Sequence, residues 1–263
     1  MPMTRVLFVA ADPSSAPPGS NVPRLLLDED MRAIREKVRA AEHRDTIEFD
    51  FRMAARPDDL LQGLNEVRPQ VVHFSGHGGR DGVNVVGSDG QPHPVGTEAL
   101  VRLFGVFRGD IRLVVLNACH SLPHARAIAE QVGLAIGNPG PIPDQAAILF
   151  GASFYRAVAF GHSVQAAYDQ ARASLSMHNF LDGECPVLVA GPGVDASRVF
   201  LVVPAENVAV GDPDAGAAGK SLGAGPGVRQ NVNVTGNGHV VTVAGRDAYT
   251  SGSPTTRRPP ADA

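Results

Sequence analysis

Residues 111–116 read IRLVVL, and Asn117-Ala118-Cys119 follow them without a break. Such a short apolar run, rich in β-branched side chains, predicts an interior strand. The run VVHF at residues 71–74, which lies between Pro69 and Ser75-Gly76, predicts a second strand of the same kind. Buried strands that end in small polar residues are typical of a parallel sheet, which gathers functional groups at the carboxyl ends of its strands.

Helical patterns alternate with such strands from residue 1 to about residue 203. The helix near residue 34 carries a buried stripe of Leu27, Met31, Ile34, Val38 and Ala41. The alternation predicts an α/β fold with a mostly parallel sheet flanked by helices. Further strands are predicted at 5–10, 47–52, 83–86, 134–137, 187–190 and 199–203, and helices at 57–67, 97–109 (capped by Thr97), 123–131, 144–160 and 163–177.

The composition changes after Pro204. Residues 204–228 are rich in Ala and Gly and nearly free of bulky apolar residues, so they are predicted to form a flexible linker behind a domain of residues 1–203. Residues 229–247 contain two β-prone alternating runs around Thr-Gly-Asn-Gly, without proline. They predict either a docked β-hairpin or a cross-β segment. Residues 248–263 are rich in Ser, Thr, Pro and Arg and are predicted to be disordered.

Charge and cysteine content exclude several classes of function. The net charge of −4 and the pI of about 6.1 argue against a nucleic-acid partner. Two cysteines are too few for a disulfide scaffold or a four-thiolate zinc site. The opening apolar run, residues 6–11, is far shorter than the ~20 residues of a membrane span. We therefore expect a cytoplasmic protein without a membrane partner, in which both thiols stay reduced.

His77 and Cys119 are the candidate reactive residues, because each lies three positions beyond a central strand. If the two strands are neighbours, both side chains lie at the same edge of the sheet. An adjacent imidazole raises the thiolate fraction of a thiol and can later protonate a leaving amine. Glycines at 76, 78 and 79 allow a substrate to approach the backbone and its N–H groups.

Other interpretations of these residues stay open at this point. A cysteine after an interior strand can simply be a core residue, and His73 and Cys185 are expected to be structural. A metal site is an alternative, although its spacing fits no standard ligand pattern; its members would be His73, His77, His93, Cys119, His120 and His124. No Walker loop and no Gly-x-Gly-x-x-Gly motif follows the first strand, so no cofactor is expected.

Two motifs in this order resemble the paired signatures of CHAT domains, which are bacterial caspase-like peptidases related to separase, caspases and gingipains. They are VVHFSGHGG at 71–79 and VVLNACHS at 114–121. The similarity extends over about residues 4–180 and includes VLFVAADP at 6–13, LDED at 27–30, RPDDL at 56–60 and DQAAI at 144–148.

The resemblance implies a caspase-like cysteine endopeptidase that acts on a protein or peptide substrate. His77 would be the general base and acid, Cys119 the nucleophile, and the backbone N–H groups of Gly78 and Cys119 the oxyanion hole. Such peptidases usually work with a dyad, which would explain why no partner acid stands out in the sequence. His120 stands where the family often has an acidic residue, which puts the pocket chemistry in question. Asp144 is a candidate for holding a substrate Arg or Lys, or else a helix cap.

Residues 229–247 resemble the amyloid-signalling motifs at the ends of bacterial effectors. That resemblance implies a bacterial defence or cell-death effector, assembled by an NLR-like NTPase receptor or by its own copies and activated by proximity. The alternative is a catalytically idle CHAT-like adaptor that acts through assembly alone.

Overall fold

A six-stranded sheet forms the centre of the molecule. Its spatial order is β2 (Ile47–Arg52), β1 (Thr4–Ala11), β3 (Val71–Gly76), β7 (Leu113–Asn117), β8 (Leu134–Gly137) and β9 (Val187–Ala190). Every neighbouring pair is parallel except β8–β9, which is antiparallel. The predicted α/β class with a mostly parallel sheet is confirmed.

The computed structural model describes residues 3–13, 24–180 and 185–202. The predicted linker at 204–228, the β-prone segment at 229–247 and the tail at 248–263 lie outside the described residues. No helix among those described is long and apolar enough to cross a membrane.

Helices cover both faces of the sheet. One face packs against α1 (Leu27–Arg39), α5 (Asp144–Ala159) and α6 (Val164–Met177), and the other against α2 (Pro57–Val67), α3 (Thr97–Val106) and α4 (Leu122–Val132). Successive residues of β1 divide between the two cores: Val6 and Phe8 belong to the first, Leu7 and Val9 to the second. Because β1 is buried on both faces, it is continuously apolar rather than alternating.

Helix α1 forms where the sequence predicts it. Leu27, Ile34 and Val38 are buried in the first core, and each such side chain contributes on the order of 1.5–3 kcal/mol of transfer free energy. Three acidic residues in its first turn and two basic residues in its last turn complement the helix dipole. Helix α6 begins with a capping hydrogen bond: Ser163 is its N-cap, and the Ser163 hydroxyl accepts from the Ala166 N–H.

A small antiparallel sheet follows β3 and departs from the sequence prediction. The sequence predicts only one strand, 83–86, in this region. In the structure Gly78–Gly79 form the short strand β4, which pairs with β5 (Gly82–Val86), and β5 pairs with β6 (Pro92–Val95). The Asn84 N–H donates to the His77 carbonyl at 2.9 Å, and the Val86 N–H donates to Ala55. The segment that carries His77 is therefore tied into regular structure.

Three other predictions need correction. Residues 199–202 form no named strand and contribute a single isolated bridge, Ser163 to Phe200. Helix α3 ends at Val106 rather than near residue 109. Its N-cap is Gly96, because the Thr97 hydroxyl is engaged by His124 instead of the helix amides.

Candidate active site

The strand register brings three chemically active residues level with one another. Ala11 pairs with Gly76 in β1–β3, and Ser75 pairs with Asn117 in β3–β7. Continued past the strand ends, the same register sets Asp12 beside His77 and His77 beside Cys119. Parallel strands lie about 4.8 Å apart, so the row is short enough for side chains to interact across it.

A cavity opens at this edge of the sheet. It is lined by His77 and Cys119 together with residues from the carboxyl ends of β3 and β7, from α1 and α5, and from the segments before these helices: Leu25, Leu26, Leu27, Asp30, Ser75, Gly76, Asn117, Ala118, Ile142, Asp144, Ala147 and Ile148. Its volume is about 30 Å³, which is enough for an ordered water molecule. The cavity is therefore narrow in this conformation.

Gly78 lies directly against the backbone of Cys119. A Cβ placed on Gly78 would come within 2.6 Å of the Cys119 carbonyl oxygen and 2.8 Å of the Ala118 Cβ. The neighbouring Gly79 has no such contact within 4 Å. Glycine at position 78 thus permits the segments after β3 and β7 to meet, which brings the Gly78 and Cys119 amides into one neighbourhood.

His124 anchors the strand that follows His77. It is buried on α4, with Nε2 2.9 Å from the Gly79 carbonyl and Nδ1 2.6 Å from the Thr97 hydroxyl. The neutral ring satisfies both contacts if Nε2–H donates to Gly79 and Nδ1 accepts from Thr97. His124 therefore links β4, α3 and α4 beside the site.

The segment after β7 is fixed by buried hydrogen bonds. The Ser121 hydroxyl lies 2.7 Å from the Ala118 carbonyl and accepts from the Asn138 N–H at 2.9 Å. The Asn138 amide donates to the Ala118 carbonyl at 3.0 Å. His120 adopts a left-handed backbone (φ 55°), and its N–H donates to Gly140. This sharp turn directs the chain away immediately after Cys119.

Asp30 forms part of the cavity wall and was missed by the sequence analysis. It is buried, and the Ser75 hydroxyl donates to its Oδ2 at 2.8 Å. Burial raises the pKa of Asp30 to about 7, with the nearby Asp144 charge adding to the effect and the Ser75 hydrogen bond opposing it. Asp30 ends the LDED stretch at 27–30, which is one of the segments that carry the resemblance, but the sequence analysis assigned it no role at the site.

Asp144 does not cap its own helix. It is the first residue of α5, whose N-cap is Pro143, and its Oδ2 accepts from the Leu26 N–H at 3.0 Å. Arg24, two residues before Leu26, is exposed, and its Nε donates to Asp12 Oδ2 at 2.8 Å. We call residues 24–26 the strap, because they are tied at one end to Asp12 and at the other to Asp144.

The structure brings His77, Gly78, Cys119 and Asp144 to one place. It also supplies the acid that the sequence did not reveal: the Asp12 Oδ1 lies 3.2 Å from the His77 Nε2. Its position directly after the first strand was the available signal, since neighbouring parallel strands end at the same edge.

His73 and Cys185, the other residues considered from the sequence, are buried in the core. His73 is buried and stacks on Phe8, and burial lowers its pKa to about 3. Cys185 is buried within the first core. Across the described ranges no three His, Cys, Asp or Glu side chains are grouped so as to hold a metal ion, so the metal alternative gains no support from geometry.

Comparison with known proteins adds a family. The CHAT domain family model matches residues 9–182. A "Probable protease" of Gillisia limnaea (strain DSM 15749 / LMG 21470 / R-8282) is 24% identical over 171 residues, which are 64% of this chain and 29% of that protein. A "Roc-COR-CHAT protease" from an unknown prokaryotic organism is 23% identical over 184 residues, or 67% of this chain and 17% of that protein. The chain thus spans less than a third of the length of these relatives.

Among solved structures, the fold is similar to that of the Arg-specific cysteine proteinase gingipain R (RgpB). The TM-score is 0.50 at 10% identity, and the match covers 75% of this chain and 48% of that one. At this identity the similarity concerns the fold.

The buried carboxyl of Asp30 predicts a pH-dependent cost in stability. Because its folded-state pKa is raised from 3.8 to about 7, the wild type is stabilised below about pH 4 and loses that stability as pH rises to 7. Asp30→Asn removes the titration. We expect the difference in free energy of unfolding, variant minus wild type, to grow by about 2.5 kcal/mol between pH 5 and pH 8. Urea unfolding at both pH values measures it, with the exposed Asp45→Asn as control; parallel curves for wild type and Asp30→Asn would contradict the assignment.

The close contact at Gly78 predicts a difference between two adjacent glycines. Gly78→Ala places a methyl group against the Cys119 backbone, and we expect a loss of about 1–3 kcal/mol in the free energy of unfolding. Gly79→Ala, with open space at its Cβ, serves as the matched control and should be near neutral. Equal stability of the two variants in urea would show that the segments do not meet as described.

Proposed function

Because the chain belongs to the CHAT domain family, we propose that it is a cysteine endopeptidase that works with His77 and Cys119. The observation that carries the proposal is the strand register, which sets these two residues level at one cavity. The relatives named as proteases support a peptidase role. Since the chain corresponds to a fraction of each relative, the activity itself is part of the proposal.

The proposed reaction follows thiol peptidase chemistry. His77 takes the proton of the Cys119 Sγ, and the thiolate attacks the scissile carbonyl carbon. The N–H groups of Gly78 and Cys119 receive the developing oxyanion, and the contact between these two backbones favours such a pair. The imidazolium then gives its proton to the leaving amine, and water hydrolyses the acyl-enzyme with His77 as base.

For substrate preference, we assign a basic side chain before the scissile bond. Asp144 and Asp30 place two carboxyl groups on one cavity wall, and a substrate Arg or Lys would be held by charge-assisted hydrogen bonds. The Leu26 N–H now occupies one Asp144 oxygen. A substrate side chain that binds Asp144 would replace or share this hydrogen bond.

We place the peptidase in the cytoplasm as an effector of bacterial defence or cell death, switched on by assembly. The narrow cavity supports a resting state that clustering would widen. Residues 229–247 would recruit the chain to an NLR-like receptor or to further copies; they lie outside the described residues, and their composition carries this part of the proposal. The second candidate is a catalytically idle adaptor that acts through assembly alone, and the narrow cavity fits that role as well.

Labelling with a peptidyl chloromethyl ketone separates enzyme from adaptor. We expect one equivalent to attach at Cys119, and both Cys119→Ala and His77→Ala to abolish cleavage while leaving the thermal unfolding midpoint nearly unchanged. Cys185→Ala is the matched control, because that buried thiol should not react. Peptide-resolved mass spectrometry gives the site. A Cys119→Ala variant that still cleaves would contradict the proposed dyad, and an unlabelled Cys119 in assembled protein would favour the adaptor.

The role of Asp144 predicts a charge preference. Two chloromethyl ketones that differ only in carrying arginine or norleucine should label Cys119 at different rates, with arginine faster. Asp144→Asn should lower the arginine-to-norleucine rate ratio about tenfold or more, since a hydrogen bond between charged groups contributes roughly 1.5–3 kcal/mol. Asp169→Asn, on the exposed face of α6, should keep the wild-type ratio. A ratio unchanged in Asp144→Asn removes Asp144 from the pocket.

The assembly proposal predicts that a peptide of residues 230–246 forms thioflavin-positive fibrils in physiological buffer. Its β-propensity, low charge and asparagines favour cross-β stacking. A peptide with proline in place of Val234 and Val241 is the control, because proline removes ladder hydrogen bonds. If the unmodified peptide stays soluble and unstructured at high concentration, this route to activation is excluded.

A further inference from the structure

The proposed dyad has an acidic neighbour that neither motif contains. Asp12 follows the last residue of β1, and its Oδ1 lies 3.2 Å from the His77 Nε2. The Asp12 side chain is only 10% exposed and that of His77 26%. The contact is therefore partly shielded from water, where an interaction between a carboxylate and an imidazolium is stronger than at the surface.

The end of the sheet is built to permit this contact. Ala11 is paired with Gly76, and a Cβ on Gly76 would lie 2.5 Å from the Ala11 carbonyl oxygen. Glycine at this position allows the two strands to stay close up to their last residues. Asp12 and His77, the next residue of each chain segment, consequently emerge side by side.

A second contact fixes the orientation of the carboxylate. The Arg24 Nε donates to Asp12 Oδ2 at 2.8 Å, so the two oxygens of Asp12 are divided between Arg24 and His77. The Arg24 side chain is 76% exposed, and an ion pair of this kind contributes little stability. Its effect is geometric, since it leaves Oδ1 directed at the imidazole.

We propose that Asp12 is the positioning residue for His77. Asp12 accepts a hydrogen bond from the Nε2–H, which selects the tautomer with its proton on Nε2 and leaves Nδ1 as the nitrogen that exchanges a proton with Cys119. When the Sγ proton moves to Nδ1, the ring becomes an imidazolium with N–H on both nitrogens. The Asp12 carboxylate then stabilises that positive charge. The inference rests on the proposed function and adds a third member to the dyad.

The charges around His77 are few among the described residues. Asp12 contacts it directly, Arg24 reaches it through Asp12, and Cys119 shares its cavity. Asp30 and Asp144 line the same cavity, but the ion-pair contact of His77 is with Asp12. Removing the Asp12 charge is thus the direct way to test the effect on the pair.

Alkylation of Cys119 tests the proposal without requiring a substrate. The rate of carbamidomethylation by iodoacetamide is measured from pH 5 to pH 10 on the full chain by peptide-resolved mass spectrometry. In the wild type, the thiolate–imidazolium pair should give a plateau near neutral pH, below the ordinary ionisation of a thiol. Asp12→Asn, which keeps the shape but not the charge, should lower the rate at pH 7 about tenfold, corresponding to one pKa unit of stabilisation.

The controls separate this inference from the dyad itself. Asp45→Asn removes an exposed carboxylate near Arg44. Asp45 precedes β2 and so lies at the amino ends of the parallel strands, away from the site, and this variant should keep the plateau. His77→Ala should abolish it. If His77→Ala slows alkylation but Asp12→Asn and Asp12→Ala both retain the wild-type profile, Asp12 does not position His77. If His77→Ala leaves the profile unchanged, the dyad fails and the role of Asp12 fails with it. Asp12→Asn carries the test should Asp12→Ala lose its fold.

Discussion

The pairing of three parallel strands, β1, β3 and β7, is the constraint on which the rest of the structure depends. Each strand is buried on both faces, so its register is fixed by two cores at once. A slip of one residue would turn every side chain of a strand to the opposite face. It would also remove His77 from its level between Asp12 and Cys119. The chemistry of the site is therefore set by backbone hydrogen bonds some distance below it, and its groups need few contacts of their own to stay aligned.

The walls of the site are held by different kinds of contact. Below Cys119, Ser121 and Asn138 satisfy the buried Ala118 carbonyl, and the left-handed His120 completes the turn. The strap is held by the Arg24–Asp12 ion pair, by the hydrogen bond from the Leu26 N–H to Asp144, and by Leu25, which packs against the first core. The Leu26 carbonyl also accepts from the Glu29 and Asp30 N–H groups, so the strap is continuous with the first turn of α1.

Sequence patterns predicted the central sheet well, because strands that are buried on both faces have continuously apolar sequences. The bounds of α2, β8 and β9 agree with the prediction. The patterns failed where tertiary contacts override local preference. Gly78–Gly79 and Pro92–Val95 form strands in spite of their composition. The Thr97 hydroxyl, which was predicted to cap α3, forms a hydrogen bond with His124 instead. The places of Cys119 and His77 after neighbouring strands predicted that both would lie at one cavity. Asp12 follows the first strand in the same way, but its contact with His77, like the contact of Asp30 with Ser75, depends on proximity between distant segments, which a single sequence does not contain.

The strand order has a consequence for how the protein can fold during its synthesis. After β1 and β2 have paired, every later strand of the sheet, β3, β7, β8 and β9, joins in chain order at the same growing edge. No strand has to be inserted between two that are already paired, so the sheet can be built as the polypeptide leaves the ribosome, where domains begin to fold from their N-terminal end. The strands that carry Asp12 and His77 precede β7 and Cys119 in the chain, and the cavity wall supplied by α5 comes later still. The cavity around Cys119 can therefore be completed only after the sheet has grown as far as β8 and α5 has packed against its face.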